Sequence, residues 1–154
     1  MTRRGTMMTS PLSNPMNMLL ACIGLHLLAD YTLQGCLSDL KQKRWWTAQM
    51  KQLYESFDKK YQTYELKWKI QQKYKYDYMA GLFCHALMWS IVTFFPLMWF
   101  CDAWLLFRLV FFNWMIHAIV DHGKANMHCF NLVQDQLIHL VQVIATVLIV
   151  FWIG

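Results

Sequence analysis

Residues 132–153 read LVQDQLIHLVQVIATVLIVFWI, and this stretch decides the fold class. It is long enough to cross a membrane, because a hydrocarbon core of about 30 Å requires a helix of about 20 mostly apolar residues. The chain is 57% hydrophobic and contains eight Trp residues, which excludes an ordinary soluble enzyme domain. Three more stretches have similar character: 16–35, 79–101 and 103–121. The sequence therefore predicts an all-α, four-helix transmembrane bundle within residues 16–154.

The positive charge is concentrated in one segment between the first two spans. Segment 37–78 holds ten of the fourteen Lys and Arg residues, and Lys124 falls on the same side if every stretch crosses. Arg3 and Arg4 fall on the other side. Because cytoplasmic loops are enriched in Lys and Arg, segment 37–78 is predicted to be cytoplasmic and both termini periplasmic. The net charge of +5 is thus explained by membrane topology, and no nucleic-acid partner is expected.

The same segment is predicted to be an amphipathic helical insertion. Residues 38–77 contain neither Gly nor Pro, and their larger apolar residues recur every three or four positions, which is typical of one nearly straight helix. Three interpretations remain open: the segment lies on anionic lipids, packs on a protein partner or a second copy of the chain, or folds back as a hairpin. The first is favoured, together with self-packing into a homo-oligomer. Residues 1–15 are predicted to be a disordered tail, and residues 121–131 a polar turn.

Ionisable side chains recur inside the predicted spans, where each costs about 2.5–3.5 kcal/mol on insertion scales and indicates a functional site. Three pairs are spaced by four residues, which places both members on one helix face. The predicted topology brings all seven residues to the cytoplasmic half of the bundle. They are His26 and Asp30 in the first span, His85 in the second, His117 and Asp121 in the third, and Asp135 and His139 in the fourth.

This set has the chemistry of a metal site. Imidazole nitrogens and carboxylate oxygens bind Zn²⁺, Fe²⁺ or Mn²⁺, and three buried carboxylates require positive compensation. The seven residues are too many for one tetrahedral ion, so we expect two ions, or one ion with carboxylates that orient its histidines. The competing interpretations are a hydrogen-bonded network that specifies helix packing and a proton or ion pathway. Gln34 and Gln136 are candidate donors to the ligands, and Lys124 either holds an anionic group or extends to the headgroups.

Four motifs resemble the domain of unknown function 3307 family, which comprises small membrane proteins of phages and bacteria. The motifs are HLLADYTLQ at 26–34, HAL at 85–87, HAIVDHGK at 117–124 and DQLIH at 135–139. The resemblance implies a multi-pass protein of the bacterial inner membrane but no activity. It covers most of the chain outside the tail and the insertion, which is longer here than is usual in the family. The family pattern falls on His26, Asp30, Gln34, His85, His117, Asp121, Lys124, Asp135, Gln136 and His139.

Two functions compete at this level. The first is a metal-dependent hydrolase of lipid or phosphorylated substrates, in which Asp135 serves as the base and Lys124 steadies an anion. The second is a non-catalytic protein that binds a host or phage partner through residues 38–77, as exclusion or anti-defence factors do, with a structural metal or polar cluster. A transporter or small pore is less favoured, since the spans show neither broken helices nor inverted repeats.

Overall fold

The computed structural model describes residues 14–33 and 35–153, and these residues form helices joined by short turns. The prediction of an all-α bundle is confirmed. Residues 1–13 of the predicted tail, and Gln34, lie outside the described residues. In chain order the elements are α1 (Pro15–Leu27), continued as a π-helix (Leu28–Leu33), α2 (Leu37–Leu40), α3 (Lys43–Glu55), a 3-10 turn (Lys59–Tyr61), α4 (Tyr64–Lys73), α5 (Asp77–Phe94), continued as a 3-10 segment (Phe95–Trp99), α6 (Ala103–Ala125) and α7 (Leu132–Ile153).

Four helical stretches are long and apolar enough to cross a membrane. They correspond to α1 with its π-helix, α5 with its flanking segments, α6 and α7. Helices α1 and α6 each pack against both α5 and α7, so the four form a closed ring. The outer faces carry apolar side chains such as Leu20, Ile119 and Val141, which are all more than half exposed. Such a surface suits lipid, and the four apolar helices are compatible with a multi-pass membrane protein.

Local sequence explains where two of these helices begin. Pro15 occupies the first turn of α1, where its missing N–H has no helical partner to lose, and the Asn14 side chain accepts the amide of Met16 at 2.9 Å. Asp102 starts α6 in the same way, because its Oδ1 accepts the amides of Trp104 and Leu105 at 2.9 and 3.0 Å. The Leu105 amide holds the pKa of this carboxyl below its usual range.

The insertion is helical, and of the interpretations left open it adopts the hairpin, so it is not one nearly straight helix. Helix α3 ends at Glu55 and α4 begins at Tyr64, and the two helices pack together as a hairpin. The Gln62 side chain donates to the carbonyl oxygens of Glu55 and Phe57 at 3.4 and 2.7 Å, so it satisfies carbonyls at the end of α3. A polar side chain thus stabilises a turn in a segment that contains no Gly or Pro, the residues from which a turn is usually predicted.

The interior of the bundle changes character along its length. One half holds an apolar core formed by Met18, Cys22, Ala29, Trp89, Phe94, Leu97, Val143, Val147 and Val150. A buried polar layer lies beside it, where the Asn113 amide donates to Thr146 Oγ1 at 3.0 Å and Gln142 donates to the Asn113 carbonyl at 2.8 Å. These bonds link α6 to α7 and fix their register.

Helix α6 is longer than expected. The predicted turn at 121–131 begins late, since α6 continues to Ala125 and therefore carries His122 and Lys124 on helical positions. Within the turn His128 has a left-handed backbone with φ of 56°. The extension keeps Lys124 one turn beyond Asp121, on the face that looks into the bundle.

Candidate metal centre

All seven ionisable residues singled out in the spans are buried, and they meet at the end of the bundle next to the insertion. None is more than 5% exposed. The end of α1 and its π-helix supply His26 and Asp30, the start of α5 supplies His85, the end of α6 supplies His117 and Asp121, and the start of α7 supplies Asp135 and His139. The convergence expected from topology is therefore present in the structure.

Three histidines form a continuous chain of ring nitrogens. His117 Nε2 lies 3.3 Å from His85 Nε2, and His117 Nδ1 lies 3.1 Å from His139 Nδ1. Each contact between two ring nitrogens requires a shared proton, because two lone pairs facing each other repel. Trp89 fixes the middle ring, since the indole stacks on His117 with centroids 4.0 Å apart. The histidines thus converge through the atoms that bind metals.

Asp121 completes a triangle of ligand atoms with two of these rings. Its Oδ2 lies 3.1 Å from His85 Nε2 and 3.7 Å from His117 Nε2. Ligand atoms that share a tetrahedral zinc at about 2.0–2.1 Å lie about 3.3 Å from each other. The point equidistant from these three atoms is about 2.0 Å from each, which is the length of a zinc–nitrogen bond. The spacing therefore matches a single first coordination shell.

Besides this triangle, two further sets of three residues have ligand atoms close enough to hold an ion: Asp30 with His85 and His117, and His117 with Asp121 and His139. All three sets include His117. A neutral imidazole offers one lone pair, since its other nitrogen carries a proton. His117 therefore serves one set at a time, and the sets describe alternative corners of one centre more readily than two independent ions.

The remaining predicted residues surround this centre. Gln136 donates to Asp30 Oδ2 at 2.6 Å and to Asp135 Oδ2 at 3.2 Å, so it bridges two carboxylates, as expected of a residue that orients ligands. Lys124 pairs with Asp135 Oδ2 at 2.5 Å and therefore turns inward instead of extending to the headgroups. His139 Nε2 lies 3.3 Å from Asp121 Oδ1.

His26 stands apart from these ligand sets. Its Nδ1 accepts the indole N–H of Trp89 at 2.8 Å, so that nitrogen is already used. Asp30, four residues later, lies in the π-helix and reaches toward His85 Nε2 at 3.7 Å. A π-helix has a wider turn than an α-helix, and such turns are frequent at functional sites. The two residues therefore reach different partners despite their four-residue spacing.

Lys41 is a site residue that sequence reasoning missed. It lies just after α2 in the insertion, yet its Nζ is 2.6 Å from Asp121 Oδ2 and 3.1 Å from His85 Nε2. Its side chain is only 11% exposed. The available signal was the absence of a counter-charge for Asp121 within the spans, which required a cation from elsewhere.

Two buried atoms at the centre lack partners. Among the described residues, His85 Nδ1 and Asp135 Oδ1 have no hydrogen bond. Asp135 Oδ1 nevertheless lies 3.4 Å from His139 Nε2, and neither unpaired atom is one of the ligand atoms above, since the triangle uses His85 Nε2. The donor set of imidazoles and carboxylates and the triangle spacing fit a divalent cation.

A cavity of about 320 Å³ reaches the centre from the insertion side. Asp30 and Asp121 belong to its lining, so two ligand carboxylates face the cavity. Lys41, Arg44 and Lys124 also line it. The centre is therefore accessible, whereas structural metal sites are closed. Comparisons with protein-family models, curated proteins and solved structures give no match to this chain.

Proposed function

We propose that this protein is a membrane-embedded, metal-dependent hydrolase that acts on a lipid or phosphorylated substrate. One observation carries the proposal: the 320 Å³ cavity ends on two carboxylates of the candidate metal centre and is lined by three cationic side chains. A substrate group that enters it would meet the ion and the positive charges together. Charge stabilisation of this kind is usually the largest contribution to hydrolytic catalysis.

The residues divide into holding and reacting roles. His85, His117 and Asp121 would hold one divalent ion, with Zn²⁺ or Mn²⁺ and Fe²⁺ as the candidates. A divalent ion held there would lower the pKa of water and so supply a nucleophile near neutral pH. Asp135, whose Oδ1 has no hydrogen bond among the described residues, would take the proton as water attacks the substrate and the bond to the leaving group breaks. Lys124 would steady the anionic product.

The cellular setting belongs to the same proposal. The concentration of Lys and Arg in segment 37–78 supports a cytoplasmic insertion, and the motif resemblance supports an inner-membrane protein of a phage or a bacterium. The hairpin carries the exposed rings of Tyr64 and Trp68 beside its lysines. Such a surface suits anionic lipids or a second copy of the chain.

A second candidate is a non-catalytic protein whose polar cluster holds the helices together and whose hairpin binds a host or phage partner. The observation that favours it is that two of the three buried carboxylates have cationic partners without metal: Lys41 pairs with Asp121 and Lys124 pairs with Asp135. In that case the centre needs no turnover, and the exposed aromatic face of the hairpin would be the working surface.

Metal content followed by turnover separates these functions. Purified wild-type protein is expected to hold about one divalent ion per chain by mass spectrometry, and His117→Ala is expected to lose it. His122→Asn is the matched control, since His122 belongs to none of the ligand sets and does not line the cavity. A metal-free wild type that rejects added Zn²⁺, Mn²⁺ and Fe²⁺ would rule out the hydrolase.

The second step uses Asp135→Asn and a panel of phosphorylated lipids and soluble phosphate esters. Asp135 is in none of the ligand sets, so this variant should keep its metal and lose at least about a hundredfold in turnover, the usual contribution of a general base. Metal-loaded wild type without turnover on any panel member would instead support the second candidate.

A further inference from the structure

Three cationic side chains line the cavity beside the metal centre: Lys41, Arg44 and Lys124. Arg44 makes no ion pair with a carboxylate among the described residues, and its Nε donates to Gln42 Oε1 at 2.6 Å. The other two cations are engaged as counter-ions of buried carboxylates. Lys41 and Lys124 can therefore bind an added anion only when another cation balances their carboxylates.

Charge balance shows what a divalent ion would change. With ionised carboxylates and neutral imidazoles, Asp30, Asp121 and Asp135 supply three negative charges. Lys41 and Lys124 offset two of them, which leaves one excess negative charge. A divalent ion would reverse this to one excess positive charge, and Arg44 at the cavity wall would raise it to two. A buried centre cannot hold that charge without an anion, because unpaired charge in a low dielectric is costly.

The contacts of Lys41 also indicate that a bound ion would displace its ammonium group. Lys41 Nζ lies 2.6 Å from Asp121 Oδ2 and 3.1 Å from His85 Nε2, and both atoms belong to the ligand triangle. An ion bound to the triangle would draw on the same lone pairs and repel the ammonium. Lys41 must then turn away from the ligands, and the cavity is the adjoining space that it already lines.

We propose that the cavity binds a phosphate group, and that metal creates this anion site by releasing Lys41 from Asp121. This inference rests on the metal centre of the proposed function and names the substrate group that it serves. A phosphate monoester carries about 1.5–2 negative charges at pH 7, which matches the excess of the loaded centre better than a carboxylate does. Its several oxygens can meet three separate cations.

The chain holds the base of Lys41 in place while leaving its side chain able to move. Asn126 donates to the Lys41 carbonyl at 3.1 Å and accepts the Lys43 amide at 2.7 Å. The Trp46 indole donates to the Leu40 carbonyl at 2.8 Å. The backbone on both sides of Lys41 is thus anchored, so the ammonium can swing between Asp121 and the cavity without unfolding the insertion.

Cobalt titration tests the proposal without relying on activity. Metal-stripped protein in detergent micelles is titrated with Co²⁺, buffered by a chelator, and the absorption bands of the bound ion report occupancy. Inorganic phosphate at constant ionic strength should raise the apparent Co²⁺ affinity about fivefold or more, since linkage makes the coupling reciprocal. Wild-type Co²⁺ binding that ignores phosphate and phosphatidic acid would overturn this inference alone. Absence of Co²⁺ binding would overturn it together with the proposed metal function.

Charge variants identify which cations carry the coupling. Lys41→Gln should bind Co²⁺ more tightly than wild type without phosphate, because the ammonium no longer competes for Asp121, and should lose most of the phosphate effect. Arg44→Gln should weaken the phosphate effect, since Arg44 lines the cavity. Lys59→Gln, on the exposed hairpin, is the control of equal charge and should match wild type. Unchanged coupling in Lys41→Gln would contradict the assignment.

A lipid arm distinguishes the source of the phosphate. Micelles containing phosphatidic acid present a monoester at the interface, and micelles containing phosphatidylcholine are the control. Coupling to inorganic phosphate indicates a soluble phosphate compound, whereas coupling to phosphatidic acid alone indicates a lipid headgroup. Either result supports a phosphate site.

Discussion

The buried ion pair between Lys41 and Asp121 allows the structural and metal-binding roles of the cluster to be separated. The two groups are 2.6 Å apart, and their side chains are 11% and 2% exposed. Removing one partner of a buried pair costs about 3–5 kcal/mol, whereas replacing both with neutral groups of similar size is often nearly neutral. Asp121→Asn should therefore lower the free energy of unfolding by about 3–5 kcal/mol. Adding Lys41→Met should restore all but the roughly 1–2 kcal/mol that the altered hydrogen bonds contribute.

Metal binding should not follow this recovery. Asp121 supplies an anionic oxygen to the ligand triangle, and the asparagine carboxamide in its place is neutral and a weak ligand. The single and the double variant should both lose the ion, although only the single variant is strongly destabilised. The combination of restored stability and absent metal is expected only if Asp121 has both roles.

The assay combines two measurements on the same samples. Unfolding by sodium dodecyl sulfate in mixed micelles, followed by tryptophan fluorescence, gives the stability, and mass spectrometry gives the metal content. The control pair is Lys69 with Glu65, which is also 2.6 Å apart but has side chains 66% and 72% exposed. Neutralising that pair should change stability very little, because solvent screens it. An Asp121→Asn effect as small as that of Glu65→Gln, or full metal content in Asp121→Asn, would refute the reasoning.

Two further predictions concern the packing of the insertion on α5 and the start of α6. In Gly81→Ala the new Cβ would stand 2.6 Å from the Leu40 backbone, which must move about 0.8 Å to reach ordinary contact at 3.4 Å. The free energy of unfolding should therefore fall by about 1–3 kcal/mol, as measured by thermal unfolding. Gly24→Ala meets nothing within 4 Å and should be neutral or stabilising, so equal losses in both would contradict the close approach. Asp102→Ala should reduce hydrogen-exchange protection of the Leu105 amide at neutral pH. Because the pKa of Asp102 is lowered by folding, its contribution is present above the unfolded pKa and is lost as pH falls through the folded value, so wild type and variant should converge in acid.

The depth of the polar cluster in the membrane could be predicted from sequence, because it depends only on the direction and the length of each span. Each span alternates in direction, so a late residue in one span and an early residue in the next share a level. His117 and His139 satisfy this condition, and their ring nitrogens lie 3.1 Å apart. The bounds of the last span were equally accessible, since a mostly apolar run without Gly or Pro sets them.

Contacts that depend on side-chain direction across helices could not be predicted. Trp89 resembles any aromatic core residue in the sequence, yet it stacks on His117 and donates to His26. The π-helix that contains Asp30 has no sequence signal, and it alters which neighbours the residue meets. The hairpin turn in the insertion arises from one glutamine side chain, where sequence rules look for Gly or Pro.

Lys41 also shows that the insertion is part of the site and is not a detachable appendage. It contributes the ammonium that balances Asp121, and Gly81 of α5 lets the Leu40 backbone approach closely enough to deliver it. A chain with the same intramembrane motifs but no cation at this place would carry two uncompensated negative charges in a low dielectric. Such a chain must bind metal permanently or supply a cation from another loop. The position of the compensating cation therefore distinguishes a centre that alternates between lysine and metal from one that is always occupied.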